Sequence, residues 1–299
     1  MLNYTGELAA LAVAIFWTIT ALAFERASFK IGSLAVNIIR LFIGFVFLSA
    51  FTFFYRGSLL PADATTHNWL WLALSGFVGF VFGDLLLFKS YTIIGSRFAM
   101  LIMTLVPPIT AITGWAVLGE KLSLINLTGM VLTVGGIALA IFSRNTADGK
   151  FRLKLSPKGI FFALGGALGQ AVGLVLSKLG MQGYDAFAAT QIRLLAGMFG
   201  FAVLVSVLGR WGSIFKSLTN RKGMVSTTIG SFFGPFLGVS LSLLAVQYTK
   251  TGIASTIMSI VPILIIPPAI LLYKQKVTPI EVLGALVSIG GISLFFVNL

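Results

Sequence analysis

The sequence predicts an all-α polytopic membrane protein, ten transmembrane helices arranged as two inverted five-helix repeats. Three observations predict it. Of the 299 residues, 58% are hydrophobic and only 10% are charged, with a mean hydropathy of +1.02. A soluble domain carries about 25% charged residues, so too few charges remain here to cover a water-facing surface. Second, apolar runs near the ~20 residues that a span requires recur along the whole chain. Third, the second half repeats glycines and prolines of the first at a nearly fixed offset. A water-soluble enzyme, a disordered chain and a fibrous chain are thereby excluded.

The spans are expected at 7–27, 33–54, 69–90, 94–118, 124–143, 158–180, 186–208, 223–247, 251–272 and 279–297. No Lys or Arg precedes Arg26, so the first run lacks the basic start of a cleaved signal and reads as a retained span. It opens on Glu7, a carboxylate at the positive end of the helix dipole, and carries Trp17, Thr18 and Thr20 near its middle. The second span holds Arg40. The third holds Asp84 and Gly76, Gly79 and Gly83, small residues whose spacing permits close helix approach. Met103, Pro107 and Pro108 lie in the fourth span, and Glu120 and Lys121 in the short turn before the fifth. Residues 144–157 (RNTADGKFRLKLSP) form the longest charged break and divide a first repeat, 1–143, from a second, 158–299. The sixth span has Gln170 at its midpoint and the seventh has Arg193. The eighth has Gly230, Gly234 and Gly238 with Ser240, Ser242 and Gln247. The ninth contains Met258, Pro262, Pro267 and Pro268, and Glu281 opens the tenth.

The formal charge of +13 in a soluble chain would suggest nucleic acid. Sorted by connection, fifteen basic residues fall on one side of the ten spans and four (Arg56, Lys121, Lys178, Lys250) on the other, with Arg40 and Arg193 inside spans. Cytoplasmic loops collect Lys and Arg. The charge therefore reads as an orientation signal, with the basic loops cytoplasmic and both termini outside, and no nucleic-acid partner is expected. The chain has no cysteine and one histidine, His67, placed in a polar loop beside Asn68. No metal, no cofactor and no catalytic residue is expected, since an intramembrane enzyme needs a convergent nucleophile, acid pair or metal cluster.

The repeat is specific. An offset of 153 superposes the surroundings of Arg40 on those of Arg193 and pairs Trp17 with Gln170. An offset of 155 then pairs Gly79 with Gly234, Gly83 with Gly238, Met103 with Met258 and Pro107 with Pro262. It continues through Lys121 with Lys276, Gly129 with Gly284, and Gly135–Gly136 with Gly290–Gly291. Five spans per half is an odd number, so the second copy enters from the opposite side. Inverted repeats recur in secondary transporters, with the substrate site near the midplane.

The stretch LIMTLVPPITAITGWAVLGEKLSLINLTGMVLTVGGIAL, with its central proline, Gly-Glu-Lys turn and glycine-rich last helix, resembles the tandem EamA-type domains of the drug/metabolite transporter superfamily. The second copy keeps the proline, Lys276 and the glycines but has Gln275 opposite Glu120. The resemblance covers nearly the whole chain. It implies a transporter of small molecules in a bacterial inner (plasma) membrane, surrounded by membrane lipids; family members export amino acids, other metabolites or drugs, and relatives carry nucleotide sugars or sugar phosphates. The resemblance does not choose the cargo.

Ionisable groups inside spans are costly and are functional candidates by default. Arg40 and Asp84 lie at matched depths, as a structural ion pair or as an acid coupling proton movement to passage. Arg193 has no symmetric carboxylate, since Val239 stands at the position of Asp84. It either engages an anionic group of the substrate or snorkels outward. Trp17, Thr20, Gln170, Met103, Met258 and Ser240 are candidates for a midplane cavity, with core packing as the alternative for Trp17 and the methionines. Pro107 and Pro262 are candidate hinges for alternating access, or static kinks. Tyr91, Tyr248, Trp69 and Trp71 read as aromatic-belt anchors near helix ends. Amino-acid export is the leading expectation. Phosphate-bearing cargo would want more deep cations than two, and a channel or structural membrane protein fits the paired prolines less well.

Overall fold

The computed structural model describes residues 4–146, 156–264 and 279–294. Every regular element among them is helical. Helix α1 spans Thr5–Ile31 and α2 spans Ser33–Arg56, joined at Gly32 with φ 83°. That backbone conformation suits a residue without Cβ, so the chain reverses in one residue. Thr65 caps α3 by a capping box: its hydroxyl accepts from Asn68 N–H, while the Asn68 side chain accepts from Thr65 N–H. This satisfies orphan donors at the helix start.

Helix α3 runs Thr66–Ser96 and includes a π-helical segment at Phe77–Asp84. The chain breaks at Gly95 (φ 78°, ψ 157°) inside the helix Leu85–Ile102. From there α4 continues through a 3-10 turn at Met103–Leu105 into Val106–Leu118. Then follow α5 (Leu124–Thr146), α6 (Pro157–Met181), α7 (Ala186–Val207) and the short α8 (Trp211–Ser217). Helix α9 spans Arg221–Tyr248 with a second π segment at Phe232–Gly238. Helix α10 comprises Thr251–Met258 and Val261–Leu264, and α11 is Pro279–Ser293.

Six of these helices are long and apolar enough to cross a bilayer: α1, α2, α3, α6, α7 and α9. Shorter apolar helices occupy Met103–Leu118, Leu124–Leu139, Thr251–Leu264 and Val282–Ser293. The outward surface is apolar: Phe54 is 87% exposed and Leu124 80%. A backbone that bonds to itself in helices and an oily exterior are what a lipid-embedded chain needs. The protein is an integral multi-pass membrane protein.

The helices approach closely through glycines. A Cβ on Gly169 of α6 would lie 2.5 Å from Gly83 Cα of α3, and one on Gly238 of α9 would lie 2.7 Å from the Trp17 ring nitrogen of α1. Helix α2 meets α9 where Gly44 faces Pro235, and α7 meets α3 where Gly197 faces Phe80. Helices α5 and α11 cross with matched contacts: a Cβ on Gly136 would be 2.6 Å from Gly284 O, and one on Gly291 would be 2.7 Å from Gly129 O. Ser288 Oγ donates to Thr133 O across the same crossing (3.1 Å).

Polar residues collect at the two ends. At one end, Lys178 donates to Glu120 Oε1 and to Thr249 O (both 2.7 Å), and Glu120 Oε2 accepts from the amide and hydroxyl of Thr251 (2.8 and 2.6 Å). Nearby, Arg56 pairs with Asp63 at 2.6 Å, and Tyr184 donates to Asp63 at 2.8 Å. Burial, then the hydrogen bond to Asp63, push the Tyr184 hydroxyl up to about 12. At the other end, Glu25 accepts from the amide (3.0 Å) and hydroxyl (2.8 Å) of Ser96. His67 lies in the first turn of α3 and not in a loop, and its Nε2 is bonded to Leu179 O at 3.0 Å. Residues Pro267, Pro268, Gln275 and Lys276 fall outside the described residues, as does most of the charged break between the halves.

Candidate functional site

Between α1, α2, α3, α4, α6, α7, α9 and α10 lies a cavity of about 120 Å³. About 10–15 Å³ of such space suffices for one water, so this cavity is large enough for a small solute. Both halves of the sequence wall it. Trp17, Thr20, Phe24, Arg40, Phe80, Asp84, Phe88, Tyr91, Met100 and Met103 come from the first half. Gln170, Arg193, Pro235, Ser242, Ser255, Met258, Ser259 and Pro262 come from the second.

The polar core of the first-half wall is a chain of paired groups. Arg40 Nη2 donates to Asp84 Oδ2 at 2.5 Å, and Gln170 Nε2 donates to the other carboxylate oxygen at 2.5 Å. Arg40 Nε donates to Asn37 Oδ1 at 3.2 Å, and Asn37 in turn donates to the Asp84 carbonyl at 3.4 Å. Three aromatic faces surround the Arg40 guanidinium: Phe88 at 4.8 Å, and Phe24 and Phe80 at 5.5 Å each. A cation this deep needs its charge and its donors matched, and here they are.

Arg193 is equally deep, 3% exposed, but differently placed. Its guanidinium lies 4.9 Å from the Phe80 centroid, so that one ring separates the two arginines. Its Nε has no hydrogen-bond partner. Among the described residues no carboxylate lies within pairing distance of it; Asp84 attracts it from farther off.

The π segments shape this wall. Phe77–Asp84 ends on Asp84, and Phe232–Gly238 contains Pro235, which has no N–H to donate. Both segments close their hydrogen bonds over one residue more than an α-helix does, a distortion common at functional sites. They stand 155 residues apart.

The sequence-predicted residues distribute as follows. Trp17, Thr20, Gln170, Arg193, Met103, Met258, Arg40, Asp84 and Pro262 line the cavity together. Ser240 does not line it: that side chain is fully buried, with its hydroxyl unpartnered, and the neighbouring Val239 and Ser242 line the cavity instead. Pro107 also lies outside the lining, where Val106 takes its place. Neither proline kinks an unbroken helix. Pro107 occupies the first turn after the 3-10 turn at Met103–Leu105, and Pro262 follows a turn at Ser259–Ile260. A first-turn N–H has no intrahelical partner to lose, so both prolines start helical segments. Tyr91 is not an interfacial anchor; it is 2% exposed and faces the cavity. Phe24, Phe80, Phe88 and Met100 were also unmarked by sequence, because aromatic and sulfur side chains in an apolar span look the same whether they pack or line a cavity.

Known proteins place this architecture. A solved structure described only as "Crystal structure of protein" is similar over 97% of this chain and 95% of its own, with a TM-score of 0.71 at 15% sequence identity. That likeness concerns the fold alone. No protein with a curated description matches the chain in sequence. The EamA-like transporter family matches residues 4–142 and again residues 157–297. With two tandem matches covering nearly its whole length, the chain belongs to the EamA-like transporter family, whose members are membrane transporters and not enzymes.

Proposed function

We propose that this protein is a secondary transporter that exports small metabolites from the cytoplasm, with amino acids the first cargo to test. The observation that carries the reading is one cavity whose wall is shared by both halves of the chain. Ten spans in two inverted five-helix repeats account for it. The paired contacts Gly44–Pro235 and Gly197–Phe80, the α5–α11 crossing and the two π segments at one offset support that symmetry. Alternating access follows: the halves rock about the cavity, opening it to one side at a time.

Orientation follows the basic residues. Arg56, Lys121, Lys178 and Lys250 gather at the end that holds Glu120 and Thr251, and that end faces outside. The breaks before Pro107 and Pro262 serve as the bending points. For Asp84, two engaged oxygens favour a structural pair with Arg40 over a proton carrier. The amphiphilic wall suits an apolar body with few polar groups. Drugs share that shape, whereas phosphate-bearing cargo would lack cations, since Arg40 is already paired.

The test is flux into liposomes carrying the purified chain, with labelled amino acids, with and without a proton gradient. Saturable flux is expected. Accumulation driven by the gradient, and lost in Asp84→Asn with flux retained, would move Asp84 to a coupling role. Absence of saturable flux for every amino acid overturns the leading cargo.

A further inference from the structure

We infer that Arg193 is the seat of the cargo's carboxylate, so that the cavity is built for α-amino carboxylates with an apolar body. This rests on the transport reading and narrows it. Among the described residues, three charged side chains line the cavity: Arg40, Arg193 and Asp84. Asp84 is spent on Arg40 and Gln170, which leaves one positive charge. A buried cation without a counter-ion is costly, and a single carboxylate supplies the missing charge. A phosphate dianion exceeds it.

The geometry agrees. Phe80 holds the guanidinium plane from one face, and the Nε edge is unpartnered although the side chain is 3% exposed. A guanidinium presents donors in a fixed fork that fits both oxygens of a carboxylate. Four of the five lining hydroxyls, all but that of Tyr91, do not compete for the anion. Thr20 donates to Phe16 O, Ser242 to Val239 O, Ser255 to Gly252 O and Ser259 to Thr256 O. Their protons are committed to their own helices, so they offer the cavity only lone pairs. Lone pairs repel a carboxylate and accept from an amino group. One strong anion donor and four free acceptors complement a carboxylate and an N–H donor on one body.

The experiment uses the full chain in detergent and three probes with one isobutyl body: leucine, 4-methylpentanoate and leucinamide. Dissociation constants come from the concentration dependence of thermal protection. Leucine is expected to protect best, 4-methylpentanoate less, and leucinamide least. Arg193→Gln should weaken both carboxylates by about 30-fold or more, the order expected for a truncated buried charge pair, and leave leucinamide unchanged. Arg193→Lys should restore part of the loss, which guards against a variant that fails to fold. Equal protection by leucinamide and leucine, undiminished carboxylate binding in Arg193→Gln, or no protection by either carboxylate overturns the inference. Failure of the transport reading looks different: the carboxylates bind through Arg193 but no flux appears.

Discussion

The two halves build the same wall from the same helices and charge it differently. In the first half, Arg40 meets Asp84 at the end of a π segment; in the second, Arg193 meets no acid among the described residues, and Val239 stands where Asp84 would. One wall is electrically closed and the other is open. The ends of the molecule differ in the same way. Glu25 binds the amide and hydroxyl of Ser96 directly. At the corresponding place, offset by 153, stands Lys178, which cannot accept a hydrogen bond. Thr251 is capped instead by Glu120, reached from the neighbouring turn and held by Lys178. Symmetry fixes where a polar group is needed, and the local side chain decides which residue supplies it. The chain thus keeps matched packing in its two halves while their charged groups are paired differently.

The sharpest way to break the comparison is to open the closed wall. Asp84→Asn or Arg40→Gln, each alone, should cost about 3–5 kcal/mol by leaving one buried group unmatched. The double variant Arg40→Gln/Asp84→Asn should recover most of that loss, read by unfolding in detergent. Equal losses in the single variants and the double would mean that the pair is not coupled.

A second effect separates the two seams. Thr20 of α1 packs against Gly234 of α9, whereas Gly173 of α6 packs against Gly79 of α3 at the equivalent place. Gly173→Thr gives the tighter seam the looser seam's side chain, and overpacking should cost about 1–3 kcal/mol. Gly234→Ser probes the other seam, where the side chain Thr20 already stands 2.8 Å from an added Cβ, and should cost no more than Gly173→Thr. A larger loss at Gly234 would reverse the ranking.

At the end latches, Glu120→Gln should cost about 1–2 kcal/mol, the scale of a lost cap and ion pair. Glu25→Gln should cost less, since among the described residues no cation pairs with Glu25. Thermal midpoints of the two variants check the order.

The smallest effect is alkaline. The Tyr184 hydroxyl titrates at about 12, above its ordinary 10. Below pH 10 folded and unfolded chains both keep the proton, and nothing changes. Between pH 10 and 12 the unfolded chain releases it first, so stability falls as pH rises. Tyr184→Phe should flatten that fall, measured as thermal midpoint against pH; an identical slope would remove Tyr184 as its source.

The helical membrane architecture was legible from composition and punctuation alone, because few side chains can face lipid. Arg40, Asp84, Gln170 and Arg193 were legible for the same reason: a polar group in a span must have a purpose. What sequence did not reveal is geometric. Tyr91 and Phe88 carry no signal separating a cavity wall from a core. The π segments are invisible in spans apolar on every side, where no amphipathic period betrays the extra residue. Pro107 reads from sequence as a hinge or a static kink, but its place in the first turn of a new segment depends on the 3-10 turn before it.

That extra residue has an angular consequence. In an α-helix each residue advances about 1.5 Å and turns the next by about 100°. Were Phe77–Asp84 to tighten into ordinary α-turns, everything after it would swing round the axis by roughly that angle. Asp84 would be carried off Arg40, while the break at Gly95 would keep the rotation from reaching α4. Pro235 opposes the same tightening in Phe232–Gly238, because in regular α-turns its ring would crowd the carbonyl four residues earlier. The first segment has no proline to oppose that rotation, and the second does.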